Sequence, residues 1–307
     1  MMKILRIGTR GSALALKQAE MTEAALAAAF PDLEVERVVI TTTGDRRTDV
    51  ALKEVAKAEG VWDKGVFIKE LEIALENGEI DVAVHSLKDL PTVLEEPFQL
   101  RSVLKRAPVA DAWIGKIPWA EVKKGTRVGT SSVRRARQLE YLRPGVVASD
   151  LRGNVPTRLR KAAIDLDYDG IMLAEAGLKR LGYATEGMME IERHPLFVEC
   201  LPKEEFFPAA GQGAVGLEIR RGDEETGLLV DALNHHDTWS EVTAEREFLR
   251  LLGAGCSTPI GVWSSLSGEL LEMEARVYPE SGGAPKLSQA SGVVPLEVAH
   301  QLFQNLK

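Results

Sequence analysis

Cysteine is scarce: Cys200 and Cys256 are the only two in a chain of 307 residues. Two thiols make no disulfide framework; one bridge is conceivable, and a reduced pair is the simpler expectation. Histidine is scarce too, at five residues, and none of them has H-x₃-H spacing. The adjacent His235-His236 would point about 100° apart on a helix and would not chelate one ion, so no metal centre is expected. No G-x-x-x-x-G-K-[ST] occurs, which excludes a P-loop nucleotide site. No run approaches 18 apolar residues, so no transmembrane helix is expected. The opening MMKILRIGTRGS has no apolar stretch of signal-peptide length, so a cytoplasmic protein without a membrane partner is expected. Positive charge is also lacking overall: 38 Lys+Arg face 46 Asp+Glu, a net −8. That balance argues against nucleic acid as a partner.

What is present is an ordinary globular composition, 45% hydrophobic and 27% charged, with length for two or three domains. The acidic sum hides one basic segment. From Glu121 to Lys161 eleven cations meet three acids, a local +8 that leaves −16 for the rest.

Strands and helices alternate through the first two thirds of the chain. Lys3–Gly8 reads as a strand, followed by a helix opened by Ser12 and stopped before Pro31. Strands are expected at 34–40, 80–84, 126–129, 146–149 and 170–173. Helices are expected at 65–76, 132–142, 154–164 and toward Leu181. This pattern predicts an α/β fold with mostly parallel sheets. The segment His194–Pro208, with Pro195, Pro202 and Pro208, reads as irregular connection. Beyond it come helices near 224–234 and 240–252, two strand-like runs at 260–266 and 270–278, a Gly/Pro-rich turn and a helix at 296–306. These make a small C-terminal α+β domain.

Three of the expected helix starts carry cations, although helix N-termini favour acids. Arg10 precedes the first helix, Arg134 and Arg135 follow Thr130-Ser131-Ser132, and Arg152 and Arg158 bracket Asn154. Each follows a strand, so in a parallel sheet all lie at the carboxyl edge, where open α/β sheets bind ligands. Arginine forks beside backbone N–H groups suit carboxylates, which points to a small polyanion. The plainer alternative is that some of these arginines pair with surface acids.

Other features are weaker by themselves. Gly211–Gly216 fits G-x-G-x-x-G but leads into a strand-like run, so no dinucleotide site is expected. Asp89, just past a strand end, is either a solvated turn residue beside Lys88 or a carboxylate at the arginine-bearing edge, placed to stabilise a cation or move a proton. His85 reads as a packed histidine. Cys256 follows Gly253-Ala254-Gly255, which leaves its sulfur open as a nucleophile or attachment point, or it is buried and inert. A cysteine hydrolase or acyl transferase is a further alternative, and it would need a histidine and an acid beside Cys256.

Eight blocks taken together closely resemble the porphobilinogen deaminase (hydroxymethylbilane synthase) family. They are Ile7–Leu16 (IGTRGSALAL), Val84–Pro91 (VHSLKDLP), Val128–Arg135 (VGTSSVRR), Leu151–Leu159 (LRGNVPTRL), Leu173–Gly182 (LAEAGLKRLG), Pro208–Glu218 (PAAGQGAVGLE), Leu233–His236 (LNHH) and Gly253–Gly261 (GAGCSTPIG). The resemblance implies two periplasmic-binding-protein-like α/β domains and a third, small one. The expected division is 1–104 with 214–231, 105–213, and 232–307, with the active cleft between the first two domains. It also implies a dipyrromethane cofactor joined by a thioether to Cys256, the small molecule porphobilinogen as substrate, and a monomer. Four porphobilinogen units are condensed head to tail, each losing ammonia, and water releases hydroxymethylbilane. Each ring carries an acetate and a propionate. By resemblance, Arg10, Ser12, Lys88, Arg134, Arg135, Arg152, Arg158 and Arg180 bind those carboxylates, along with Thr130, Ser131, Ser132 and Gly153 from the matching blocks. Asp89 matches the catalytic aspartate, which stabilises the cation left by ammonia loss. The family's short glycine-lysine loop is here the longer Lys53–Phe67, in which Lys64 takes the lysine position. A non-catalytic solute-binding module for a polyanion is the alternative; it needs neither Asp89 nor an open Cys256.

Overall fold

The computed structural model describes residues 4–42, 68–253 and 258–306. Lys64, the rest of Lys53–Phe67 and Cys256 lie outside the described residues. The chain divides into two compact units, Met1–Ala107 with Ala214–Val242, and Pro108–Gly213 with Thr243–Lys307.

The first unit is built on β1 (Leu5–Arg10), β2 (Val35–Ile40), β3 (Val82–Ser86), β4 (Phe98–Val103) and the returning β11 (Val215–Arg220), in the order β2-β1-β3-β11-β4. Helices α1 (Ala13–Ala29), α2 (Lys69–Glu76) and α6 (Glu224–Asp231) cover it. Ile7, Leu26, Val82, Val84 and Leu217 are fully or almost fully buried together. Each such side chain contributes about 1.5–3 kcal/mol by leaving water.

The second unit carries β5 (Asp111–Gly115), β6 (Arg127–Gly129), β7 (Val147–Ser149), β8 (Gly170–Ala174), β9 (Glu186–Ile191) and β10 (His194–Cys200), in the order β7-β6-β8-β5-β10-β9. Helices α3 (Val133–Leu142), α4 (Val155–Ile164) and α5 (Glu175–Arg180) follow β6, β7 and β8. The same unit includes a small antiparallel sheet, β12 (Ile260–Ser267), β13 (Leu270–Val277) and β14 (Lys286–Gly292). It packs on α7 (His236–Leu251) and α8 (Pro295–Asn305) through Phe248, Val262, Met273 and Leu302. Arg276 ties this layer to the preceding segment by donating to the Glu204 and Glu205 carbonyls, and Val262 N donates to Pro208 O.

The two large sheets are mixed, not mostly parallel as the sequence pattern predicts. β1 runs parallel to β2 and β3, and β6 to β7 and β8. β11 is antiparallel to β3 and β4, β5 to β8 and β10, and β10 to β9. Parallel pairs need a crossover connection, which helices supply from β1 to β2, β6 to β7 and β7 to β8. The expected irregular segment His194–Pro208 is corrected in its first part: His194–Cys200 is β10, and only the remainder is irregular. A two-residue turn with Glu192 and Arg193 at φ 49° and 67° reverses the chain, the backbone that a tight hairpin requires. Pro195 is tolerated because pairing with β5 begins only at Phe197. β14 likewise replaces part of the expected Gly/Pro-rich turn.

Candidate active site

In the first unit, β1 and β3 are parallel neighbours, with Gly8 opposite Ala83. Their carboxyl ends therefore emerge side by side, one carrying Arg10 and the other Ser86 and the short turn Leu87–Asp89. Arg10, Gln18, Val84, His85, Ser86 and Asp89 line one small cavity. Its floor is tied down by the buried Gln18, whose Nε2 donates to Ser86 Oγ at 2.8 Å. Ser12 sits at the same edge as the N-cap of α1, accepting from Ala15 N at 3.3 Å. Lys88 lies in the turn beside Asp89 and is partly exposed.

In the second unit the parallel pair β6–β7, with Gly129 opposite Ser149, sets Thr130-Ser131-Ser132 against Leu151-Arg152-Gly153. Ser131 Oγ donates to Leu151 O at 2.6 Å and accepts from Leu151 N at 3.2 Å. Thr130 Oγ1 accepts from Ser132 N, and Ser132 caps α3. Asn154 caps α4, accepting from Thr157 N at 3.0 Å. Gly153 has φ 116°, and a Cβ there would fall 2.8 Å from Thr157 Cγ2, so the turn requires glycine. Arg158 Nε donates back to Gly153 O at 2.7 Å, and Arg152 is buried. The tertiary structure thus gathers Thr130, Ser131, Ser132, Arg152, Gly153 and Arg158 at two adjacent strand ends.

Arg134 and Arg135, expected as open forks at the start of α3, have a protein partner in this structure. Both turn inward to Asp111, the buried first residue of β5. Arg134 Nη1 donates to Asp111 Oδ2 at 2.6 Å, and Arg135 Nη2 to Oδ1 at 2.6 Å. Arg134 also donates to Phe207 O, and Arg135 Nη1 to Met172 O at 2.9 Å. Burial alone would raise the Asp111 carboxyl, but the two guanidiniums outweigh it and hold it below the usual carboxylate range. One carboxylate for two guanidiniums leaves a net positive charge inside the unit.

The sequence reading missed Asp111. An acid at the head of the apolar run Ala112-Trp113-Ile114 was the available signal, because a buried carboxylate requires cations. It also missed Gln212, whose Nε2 donates to Asp111 Oδ1 at 3.0 Å and to Val109 O at 2.7 Å. Gly211–Gly216 runs directly into β11 and so lacks the helix start that a dinucleotide site requires.

Arg180, at the end of α5, donates to Gly213 O at 2.6 Å. Its Nε is buried without an acceptor among the described residues. Burial pushes its pKa down to about 10. A buried guanidinium N–H without an acceptor among the described residues suits an arriving carboxylate.

Residues 5–227 match the family model described as porphobilinogen deaminase, dipyromethane cofactor binding domain, and residues 239–306 match the porphobilinogen deaminase C-terminal domain. The chain belongs to the porphobilinogen deaminase family. The porphobilinogen deaminase of Trichlorobacter lovleyi is 41% identical over 291 residues, 94% of this chain and 88% of that protein. That of Syntrophotalea carbinolica is 44% identical over 283 residues, 91% and 84% of the two chains. Among solved structures, the methionine-binding protein MetQ aligns with a TM-score of 0.44 at 14% identity, over 76% of this chain and 91% of that one. The porphobilinogen deaminase cofactor-domain match spans Arg10, Asp89, Arg152 and Arg180, and the C-terminal match spans Cys256.

Proposed function

We propose that this chain condenses four porphobilinogen units head to tail, releasing ammonia at each step, and frees hydroxymethylbilane by hydrolysis. Within the family match, the observation that carries the reading is the cavity shared by Asp89 and Arg10. It joins a group that handles protons and positive charge to a group that holds a carboxylate.

The donor set fits a dipyrromethane bearing acetates and propionates: Arg180 keeps a buried N–H without an acceptor among the described residues, and Asp111 answers only one of two guanidinium charges. In this reading dipyrromethane is held by a thioether at Cys256, and when bound it supplies the primer to which substrate is added. Arg10, Lys88, Arg152, Arg158 and Arg180 bind carboxylates. Ser12, Thr130, Ser131, Ser132 and Gly153 shape the strand-end turns that carry the backbone and hydroxyl donors. Lys64, which precedes α2 in the sequence, joins this set. Arg134 and Arg135 keep Asp111 as their partner and contribute charge rather than open forks.

Asp89 performs the proton work. The aminomethyl nitrogen of porphobilinogen leaves as ammonia and takes up one proton. The ring carbon that forms the new carbon–carbon bond gives up one. Each condensation is therefore proton-neutral, and one carboxylate serves both transfers while its charge stabilises the cation on the substrate.

The reading includes a cytoplasmic monomer with three domains, 1–104 with 214–231, 105–213, and 232–307. Intact mass of the purified protein is the test. An increment of two linked pyrroles, absent in Cys256→Ser, together with porphobilinogen consumption, is the expected result. An unmodified chain that is folded and active would refute the cofactor assignment.

A further inference from the structure

A buried acid–base pair borders the Asp89 cavity. His85 in β3 is nearly inaccessible and Glu218 in β11 is fully so. The antiparallel register sets Gly216 opposite His85, so Glu218, two residues on, projects from the same face. His85 Nε2 and Glu218 Oε2 lie 2.8 Å apart. Glu218 Oε1 is buried with no hydrogen-bond partner among the described residues. The 2.8 Å contact places one hydrogen-bond proton between the two side chains and gives the buried Glu218 carboxyl its partner. His85 lines the cavity with Arg10 and Asp89, and only Ser86 separates it from the Leu87–Asp89 turn.

We propose that His85 and Glu218 form a positioning pair for Asp89, whose shared proton sets the polarity that the catalytic carboxylate faces. The proposal rests on the reading of Asp89 as the proton-handling group. Among the described residues, these charged groups surround the pair. Arg10 comes from β1, Lys88 and Asp89 from the turn, Glu72 from α2, and Glu95 from the segment before β4. From α1 the neighbour is the uncharged Gln18. At the other end of β3, Asp81 is occupied by Arg6 and Arg220. Burial, with the charges of Glu218 and Glu95 adding to it, pushes the Glu72 carboxyl up to about 7. The negative charge of Glu218 is thus felt on the α2 side, and the imidazole stands on the cavity side.

Replacing Glu218 by glutamine keeps the shape and removes the shared proton. The cavity then faces an imidazole no longer polarised by a carboxylate, which supports negative charge at the Asp89 position less well. The experiment compares the pH dependence of kcat/KM for porphobilinogen in the parent, Glu218→Gln and His85→Gln. Intact mass checks the Cys256-linked increment and circular dichroism checks the fold. Both variants are expected to fold and keep the increment, with the acid limb displaced to higher pH by about one unit, a tenfold loss on that limb. Profiles superimposable on the parent's after scaling would show a merely structural pair and overturn the proposal. If one variant does not fold, the other is read by the same criterion. A parent inactive toward porphobilinogen would overturn the functional reading and this proposal with it; an active parent with superimposable profiles overturns the pair alone.

Discussion

Arg180 gives one guanidinium N–H to the Gly213 carbonyl at 2.6 Å, while its buried Nε has no acceptor among the described residues. Such a donor gains most from an arriving anion, because a charge-assisted hydrogen bond is worth about 1.5–3 kcal/mol. Arg180→Gln should therefore fold normally and lose about 10- to 100-fold in kcat/KM for porphobilinogen. Unchanged kcat/KM would remove Arg180 from the binding set.

Asp111 makes the opposite case, a carboxylate whose partners are already in place. Asp111→Ala leaves two buried guanidiniums without their counter-charge and should cost about 3–5 kcal/mol in urea unfolding. Because its folded pKa is depressed, its contribution is present above about pH 4 and declines as the pH falls through the depressed value. Acid unfolding of the parent should begin in that window. A variant as stable as the parent would show the pair to be energetically idle.

Glu72 carries the reverse sign. Burial raises its folded pKa to about 7, so its contribution is complete below about pH 4 and is lost as the pH rises toward 7. Glu72→Gln should raise the melting temperature more at pH 8 than at pH 5. An equal shift at both pH values would contradict the perturbed carboxyl.

Asp89→Ala should fold, keep the pyrrole mass increment and lose nearly all turnover, since the side chain is a partly exposed turn residue outside the core. Retained turnover would take Asp89 out of the mechanism.

Cys200 should be unreactive. Burial pushes its thiol up to about 12, with Glu175 adding to the shift, and its Sγ donates to Thr185 O at 3.2 Å. Thiol titration of native Cys256→Ser at pH 8 should find almost no fast-reacting group; rapid labelling would contradict the buried thiol.

The sequence alone determined the local chemistry. Ser12, Ser132 and Asn154 each cap a helix by accepting from a backbone N–H three residues on, and such bonds are legible because donor and acceptor are neighbours in the chain. The strand-then-helix rhythm likewise placed Arg10, Asp89, Arg152 and Arg158 at strand ends, and the motif blocks were sufficient to indicate the family. The tertiary structure decided what depends on distant partners. It made the sheets mixed, because β4, β9 and β10 pair without crossover helices. It turned Arg134 and Arg135 inward to Asp111, 23 and 24 residues away, and set His85 against Glu218 across 133 residues. No periodicity encodes those pairings; they arise from strand register and from the need to pair every charge that the sheets bury.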